Sequence, residues 1–252
     1  MRLVAQERVA APGETLHLFF STLLDSFGPQ GWWPARTRLE VILGAILTQN
    51  TTWRNATLAL KGMKKAGLLH WPALRQVSVA DLEFCIRSAG FYRQKARTIR
   101  GFVEWLERRH GGSLDSFLGL DTAEGRRQLL DLKGVGPETA DAILLYAGRH
   151  AVFVSDAYTR RVLSRHRLLA ETVDYEFARE FLHRHLPADQ AMFNEFHALL
   201  VEVSKRYCHR QVARCEECPL RQFLPGVTAA SQVPISVAIP RAESVAAGRE
   251  GA

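Results

Sequence analysis

The chain has 252 residues, 47% of them hydrophobic, with 33 Lys and Arg residues against 26 Asp and Glu residues. This length is enough for one or two domains with a buried core, and the formal net charge of +7 suits a polyanionic partner. No run of 18 apolar residues occurs, which argues against a membrane-spanning helix, and the N-terminus lacks the apolar core of a signal peptide. We therefore expect a cytoplasmic protein without a membrane partner.

The predicted elements are all helical, because apolar residues recur at helical spacing and no segment alternates in the manner of a strand. The first helix is predicted over residues 14–26 and is followed by a break at residues 28–31. Trp32, Trp33 and Pro34 then stand in a loop. Two adjacent tryptophans in a loop either anchor it to the core or offer a surface on which a base can stack.

A strongly apolar helix is predicted over residues 38–48, and it ends in the polar segment 48–52 before Trp53 begins the next helix. Taken alone, this polar segment is an ordinary helix end and turn. An amphipathic helix is predicted over residues 95–108. Its basic residues, such as Lys95, either form a solvated face or reach phosphates.

A glycine hairpin, Gly134-Val135-Gly136, lies at the centre of the chain, and a helix opens directly after it at Pro137. Glycine permits a tight turn and close approach of a neighbour, and proline suits a first helical position. The backbone N–H groups of such a hairpin can bind an anion such as a DNA phosphate, although a plain turn between helices has the same pattern. An apolar run then leads to Asp156 at the start of another helix.

This region closely resembles the signature of the endonuclease III superfamily of DNA glycosylases, in which a helix-hairpin-helix precedes a catalytic aspartate. The matching positions are Leu132, Gly134, Val135, Gly136, Thr139 and Ala140, then Val154 and Asp156. The resemblance spans about residues 16–224. It implies a monomeric, nucleoid-associated enzyme that acts on double-stranded DNA. It also implies that residues 133–136 and Thr139 contact the DNA, and that Gln49 enters the duplex where a base has been flipped out.

The same resemblance implies an all-α, two-lobed helical fold. Residues 36–148 would form a helical barrel domain that contains the helix-hairpin-helix at about 124–148. Residues 14–35 and 149–225 would together form a second helical domain that carries a C-terminal cysteine loop. The tail at 226–252 is rich in Ala, Ser, Pro and Gly, and we expect it to be disordered.

Three cysteines are clustered in the loop 208–224 with the spacing Cys208-x6-Cys215-x2-Cys218. In a cytoplasmic chain such clustering suggests a metal site rather than disulfides. The spacing resembles the iron–sulfur loop of endonuclease III, except that Leu224 stands where the fourth cysteine is expected. Because a [4Fe–4S] cluster normally takes four thiolates, three readings stay open. They are a cluster with a different fourth ligand, zinc on three cysteines and His209, and an empty relic of the site.

Glu138 occupies the position at which bifunctional members of the superfamily carry the lysine that forms a Schiff base. A carboxylate cannot form that imine, so the resemblance implies a monofunctional enzyme that uses water. Asp156 would stabilise the oxocarbenium-like sugar and help to orient the water. The alternatives are a bifunctional glycosylase and lyase acting on oxidised pyrimidines, and a noncatalytic DNA-binding protein.

Within the superfamily, the chain most resembles the 3-methyladenine DNA glycosylase III subgroup. The shared features are Trp32-Trp33-Pro34, Trp53 after the polar segment, and the hairpin with Glu138. In that subgroup these residues line the base pocket. An alkylated purine is cationic, and electron-rich aromatic faces attract a cation. We expect Trp32 and Trp53 to sandwich such a base.

Overall fold

The computed structural model describes residues 11–225, which form twelve α-helices and no named β-strand. This confirms the all-α prediction. The predicted disordered tail, 226–252, lies outside the described residues. The helices are α1 (Pro12–Phe27), α2 (Arg38–Thr48), α3 (Trp53–Lys65), α4 (Trp71–Gln76), α5 (Val79–Cys85), α6 (Tyr92–His110), α7 (Leu114–Leu118), α8 (Thr122–Leu130), α9 (Pro137–Ala142), α10 (Ala157–Arg165), α11 (Tyr175–His185) and α12 (Gln190–Arg206).

Most of these helices begin at a short polar side chain that accepts a hydrogen bond from the backbone N–H three residues later. Such a cap satisfies one of the N–H groups that a helix start leaves unpaired, and it contributes about 1 kcal/mol. The capping residues include Thr37, Thr52, Ser78, Ser113, Asp121, Asp156, Asp174 and Asp189. Asp156, the predicted catalytic carboxylate, is therefore also a helix cap.

Helix α2 is buried on every side from Leu39 to Leu47, apart from the half-buried Glu40. It packs against α3, α6 and α9, and also against the π-helical turn Ile143–Ala147 that continues α9. A helix that is apolar all round belongs in the middle of a core, which explains the unbroken hydrophobic pattern in its sequence. Its C-terminal end carries the polar segment to the edge of the site.

The two ends of the described chain meet, because α1 packs against α11 and α12. A buried carboxylate, Asp141 of α9, accepts hydrogen bonds from Arg126 Nε at 2.7 Å and from the Tyr175 hydroxyl at 2.9 Å. This ion pair ties the hairpin helices to α11. The division into two helical domains at the stated boundaries stays a prediction. None of the helices between residues 11 and 225 is both long and apolar enough to cross a membrane.

Candidate active site

The hairpin joins α8 to α9, and its two glycines differ in what they allow. Gly134 has a φ of +89°, and a Cβ atom there would lie 2.2 Å from the hydroxyl oxygen of Thr98 on α6. Gly136 has an ordinary φ of −98°, and no described atom other than its immediate chain neighbours lies within 4 Å of a Cβ built there. Gly134 therefore lets the hairpin contact α6, whereas Gly136 leaves the start of α9 uncovered.

Only part of the predicted DNA-contacting set is at the surface. Lys133 and Gly136 are exposed, whereas Val135 and Thr139 are only 6% and 7% exposed. Val135 packs in the hydrophobic core, and the Thr139 hydroxyl is used inside the protein. Their side chains are therefore turned into the protein, and the prediction that Val135 and Thr139 contact DNA stays a prediction about their backbone.

Gln49 is attached to the hairpin. Its Nε2 donates to the carbonyl oxygen of Gly134 at 2.9 Å and to the hydroxyl of Thr139 at 2.8 Å. Both amide hydrogens are thus used within the protein in this structure, and the entry of Gln49 into the duplex stays a prediction. The next residue, Asn50, is the exposed one, and its φ is +49°.

Lys95 is buried and is not available to a phosphate. Its side-chain Nζ donates to the carbonyl oxygens of Leu47 at 2.9 Å and Ala89 at 2.8 Å. Burial lowers the pKa of this amine. Lys95 therefore joins the end of α2 to the loop before α6, which explains why a lysine stands on the inner face of an amphipathic helix.

Asp156 follows a buried irregular segment that is held on both sides. The Phe153 N–H donates to Nε2 of His183 at 3.0 Å, and the Ser155 hydroxyl donates to the carbonyl oxygen of Tyr175 at 2.8 Å. Asp156 itself caps α10, because its Oδ1 accepts the N–H of Thr159 at 2.8 Å. These contacts fix the carboxylate at a helix N-terminus, where the helix dipole favours negative charge.

The carboxylate of Asp156 is kept ionised in a buried setting. Burial opposes its ionisation, but His197 and the N–H of Thr159 outweigh burial, so the pKa of Asp156 lies below its usual value. Nε2 of His197 is 3.5 Å from Oδ2 of Asp156. The hydroxyl of Tyr146 contacts the other ring nitrogen of His197. The site therefore holds a desolvated negative charge that is ready to face a developing positive one.

Glu138 lines the same pocket as Asp156, but its pKa is shifted upward rather than downward. Glu138 is exposed to solvent and lines the concave site. The surrounding protein and the charge of Asp156 raise the pKa of Glu138. Two carboxyl groups whose environments move their pKa values apart are a common arrangement for acid–base work.

The pocket that contains these groups has a volume of about 660 Å³, which suits a small ligand such as a base. Its wall includes Trp32, Trp33, Trp53, Glu138, Tyr146, Asp156 and His197. The structure therefore brings the predicted tryptophans together with both predicted carboxylates. Pro34, the fourth residue of the predicted pocket, is exposed and does not line this cavity.

The tryptophans form one continuous wall rather than two facing surfaces. The ring centroids of Trp32 and Trp53 are 4.7 Å apart at an interplanar angle of 56°, and Trp33 lies 5.0 Å from Trp53. A base between two rings needs a separation of about 7 Å, twice the contact distance of carbon atoms. The expected sandwich between Trp32 and Trp53 is therefore wrong for this structure.

The three loop cysteines line one small cavity between the ends of α10 and α12, and Leu224 lies in its wall. Cys208 is buried, and its sulfur accepts a hydrogen bond from Nη1 of Arg165 at 3.1 Å. Burial raises the pKa of Cys218 to about 11; a backbone hydrogen bond with Leu220 opposes this shift, and the thiols of Cys208 and Cys215 add to it. The three thiols thus share an apolar site.

His209 does not line this cavity. Within residues 11–225, no group of three or more His, Cys, Asp or Glu side chains is placed to hold a single metal ion. The zinc reading, which used three cysteines and His209, is therefore not supported by the structure.

Two polar residues of the pocket, Tyr146 and His197, were not predicted from the sequence. Both stand in strongly apolar helical segments, and His197 directly follows Phe196 on the buried face of α12. A histidine within such a stripe was the available signal. The sequence around this histidine does not indicate which distant carboxylate the ring faces.

The chain matches known DNA repair proteins over most of its length. The family model of the HhH-GPD superfamily base excision DNA repair proteins matches residues 43–188. A protein of Methanocaldococcus jannaschii, named as a candidate DNA repair glycosylase, is 40% identical over 211 residues. That alignment covers 83% of this chain and 96% of the relative.

Solved structures show the same fold. The 3-methyladenine DNA glycosylase of H. pylori, in complex with 1,N6-ethenoadenine, is similar with a TM-score of 0.68 and 29% identity. This comparison covers 78% of this chain and 98% of that one. An endonuclease III trapped in a covalent complex with DNA has a TM-score of 0.72 at 20% identity, over 85% of this chain and 96% of that one. The chain therefore belongs to the HhH-GPD superfamily of base-excision DNA repair proteins, and it is a DNA N-glycosylase.

Proposed function

We propose that this glycosylase is monofunctional and removes alkylated purines from duplex DNA by hydrolysis. The observation that carries the proposal is the pairing of an aromatic wall, Trp32, Trp33 and Trp53, with the ionised carboxylate of Asp156 in one pocket. The likeness to the 3-methyladenine DNA glycosylase of H. pylori supports the substrate class.

The tryptophan wall suits a cationic base. Alkylation at a ring nitrogen makes the base positively charged, so the base leaves readily without protonation. An indole face attracts a cation within about 6 Å of its centroid. Nζ of Lys205 already lies 5.9 Å from the centroid of Trp32, which illustrates that a cation can occupy this face. A neutral unmodified adenine gains no such attraction.

Asp156 would act on the sugar rather than on the base. As the glycosidic bond breaks, positive charge develops on the deoxyribose, and a fixed carboxylate stabilises it. Water then attacks the sugar carbon, and the carboxylates of Asp156 and Glu138 are the groups available to orient it and accept its proton. Because its pKa is raised, the carboxylate of Glu138 is a stronger base than that of an exposed glutamate.

Hydrolysis, rather than imine formation, is favoured by Glu138 at the start of α9. Lys133 is exposed on the hairpin and does not line the pocket. Lys205 does line it, and is the amine that could compete with water. Borohydride trapping on a duplex with an alkylated purine separates these routes. We expect an abasic site and no covalent adduct, and an adduct that is lost in Lys205→Ala would contradict monofunctional action.

The substrate is tested with a panel of duplexes that carry 3-methyladenine, thymine glycol or mismatched thymine. We expect release of the methylated adenine only, and Trp53→Ala should slow it roughly ten- to hundredfold at subsaturating DNA, as expected for the loss of one stacking contact. Phe84→Ala is the control, since this aromatic side chain is 71% exposed and outside the pocket. Release of thymine glycol or mismatched thymine instead would overturn the substrate proposal.

Contacts to the DNA backbone would come from Lys133 and from the free N–H groups around Gly136. Exposed N–H groups at a helix start and a nearby cation suit a phosphate. Lys133→Ala should weaken the binding of all duplexes equally. It should also reduce the slope of log affinity against log salt concentration by about one. A loss confined to damaged duplexes would instead place Lys133 in lesion recognition.

The cysteine loop is proposed to hold an iron–sulfur cluster on Cys208, Cys215 and Cys218, because these three thiols line one cavity and keep the spacing of the endonuclease III loop, with Leu224 at the fourth position. Such a cluster would cross-link the C-terminal loop to the ends of α10 and α12 and has no part in base excision. Iron and sulfide content and visible absorption of anaerobically purified protein test this. We expect a cluster that is lost in Cys215→Ser, and protein free of iron and sulfide would favour the relic reading.

A further inference from the structure

A buried histidine faces the carboxylate of Asp156 from α12. The side chain of His197 is 9% exposed, and its Nε2 lies 3.5 Å from Oδ2 of Asp156, which is long for a hydrogen bond. Within the described part of the chain, Nε2 forms no hydrogen bond. A buried polar atom without a partner is unfavourable, so this nitrogen needs one in the working enzyme. Asp156 is the acceptor within its reach.

Tyr146 determines which ring nitrogen of His197 carries the proton. Burial, and then the carboxylates of Asp156 and Glu195, raise the pKa of Tyr146 well above its usual value. Its hydroxyl therefore stays protonated and can donate to Nδ1 of His197. When Nδ1 accepts from Tyr146, the ring proton of His197 lies on Nε2 and faces Asp156. The opposite tautomer would direct a lone pair at a negative oxygen.

We propose that His197 is a positioning residue, which donates from Nε2 to Asp156 and, together with Thr159, keeps that carboxylate ionised and turned toward the pocket. Tyr146 fixes the tautomer of His197 that makes this possible. The inference rests on the proposed function of Asp156 as the group that faces the reacting sugar. Donors from two helices, Thr159 on α10 and His197 on α12, then hold the two oxygens of one carboxylate.

The pH dependence of base excision reports on this arrangement. Without His197, a group that opposes the effect of burial would be lost, so the pKa of Asp156 would rise and the acidic limb of the profile would move to higher pH. Other titratable or charged groups around this carboxylate are Glu138 from α9, Tyr158 and Arg160 from α10, and Glu202 and Lys205 from α12. Because every variant retains them, the difference between variants isolates the contribution of His197.

The first experiment compares His197→Leu with His197→Gln by single-turnover excision across pH. Leucine fills the space without a donor, whereas the side-chain amide of glutamine can place an N–H near the position of Nε2. We expect His197→Leu to lower the rate constant at pH 7 about a hundredfold, as for a displaced reacting group. DNA affinity should be unchanged and the acidic limb should move upward, and His197→Gln should restore most of the rate. Equal losses in both folded variants with an unmoved limb would overturn the inference.

The second experiment needs no substrate. His197 is one of nine histidines, and nitrogen-15 NMR of labelled imidazoles assigns it as the signal missing from His197→Gln. We expect a proton on Nε2, and in Tyr146→Phe a redistribution of that proton toward Nδ1. A proton on Nδ1 alone would overturn the inference, regardless of which damaged base the enzyme excises. An Nε2 proton in a protein that ignores alkylated purines would count against the proposed substrate alone.

Discussion

The side-chain amide of Gln49 donates to the carbonyl oxygen of Gly134 at 2.9 Å, and it thereby fastens the end of α2 to the hairpin 85 residues later. A second hydrogen bond from the same nitrogen, to Thr139, extends this contact into α9. The geometry of the hairpin is therefore maintained by a residue from a distant helix.

Replacement of Gln49 should destabilise the fold. Gln49→Ala leaves the Gly134 carbonyl and the Thr139 hydroxyl without their donor, which costs about 1–3 kcal/mol for partly buried groups. Thermal unfolding and amide hydrogen exchange in the hairpin measure the loss. Lys61→Ala on α3 is the control, since this helical side chain is exposed and its loss should change stability by less than about 0.5 kcal/mol. Equal effects of the two changes would contradict this role.

Asp156→Asn should abolish most base excision while preserving the fold. The asparagine oxygen can still accept the Thr159 N–H, so the cap of α10 remains, whereas the negative charge is lost. We expect the single-turnover rate constant to fall at least about 10²- to 10³-fold, as for the loss of one electrostatic stabiliser. Binding to an abasic-site duplex should be unchanged. A variant with wild-type excision would exclude Asp156 as the catalytic carboxylate.

Gly44→Ala should disturb the base pocket without changing a pocket side chain. A Cβ atom at Gly44 would lie 3.0 Å from Cζ2 of Trp33, so the ring must shift. Slower excision of a methylated adenine and altered tryptophan fluorescence should follow. In Gly101→Ala the new Cβ has no described atom within 4 Å apart from its chain neighbours and the backbone of its own helix, and this control should be neutral or gain up to about 1 kcal/mol. Unchanged excision and fluorescence in Gly44→Ala would contradict the packing.

The segment before Asp156 should weaken at acidic pH through His183. Burial, and then the guanidinium groups of Arg179 and Arg126, lower the pKa of His183 to about 4. Its Nε2 can accept the Phe153 N–H only while the ring is neutral. The unfolded chain has a histidine pKa of about 6.5, so the unfolded state binds more protons between these values. The free energy of unfolding therefore falls as the pH drops from about 6.5 to about 4.

His183→Gln separates this effect from other titrations, because glutamine retains an acceptor but does not titrate. We expect urea unfolding at pH 7 and pH 4.5 to show a smaller pH-dependent loss in the variant, by about 1 kcal/mol after allowance for solvent screening. A variant and wild type that lose stability in parallel would show that His183 does not link the fold to pH.

Local sequence patterns predicted the helices, the hairpin and the position of Asp156 at a helix start. Each depends on neighbouring residues, such as the capping side chain of Asp156 or the conformation of Gly134. The features that the sequence did not reveal depend on which distant groups meet. Lys95 and Gln49 are polar residues whose partners lie in other elements. Their sequence neighbourhood gave no indication that Lys95 donates to two backbone carbonyls, or that Gln49 donates to a backbone carbonyl and the Thr139 hydroxyl.

The arrangement of the pocket residues was likewise only partly predictable from the sequence. The sequence placed Trp32 and Trp53 in one site, but only the packing of α3 beside the loop of residues 32–34 decides whether the rings face one another or touch. His197 was missed because a lone histidine in an apolar helix is usually a core residue. Its role depends on contact with Asp156, which lies 41 positions earlier in the sequence. Helical periodicity gives no information about contacts between residues so far apart.

The buried ammonium group of Lys95 has a mechanical consequence. It clamps the end of α2 to the loop before α6, while Gln49 clamps the same end to the hairpin. If the hairpin contacts DNA as proposed, this bracing makes it resist deformation by an undamaged duplex. The DNA, rather than the protein, must then bend and unstack. The enzyme would then select a lesion first by the local deformability of the duplex and only afterwards by the chemical structure of the base. Affinities for one lesion set in stiff and in flexible flanking sequences measure this, and equal affinities would rule it out.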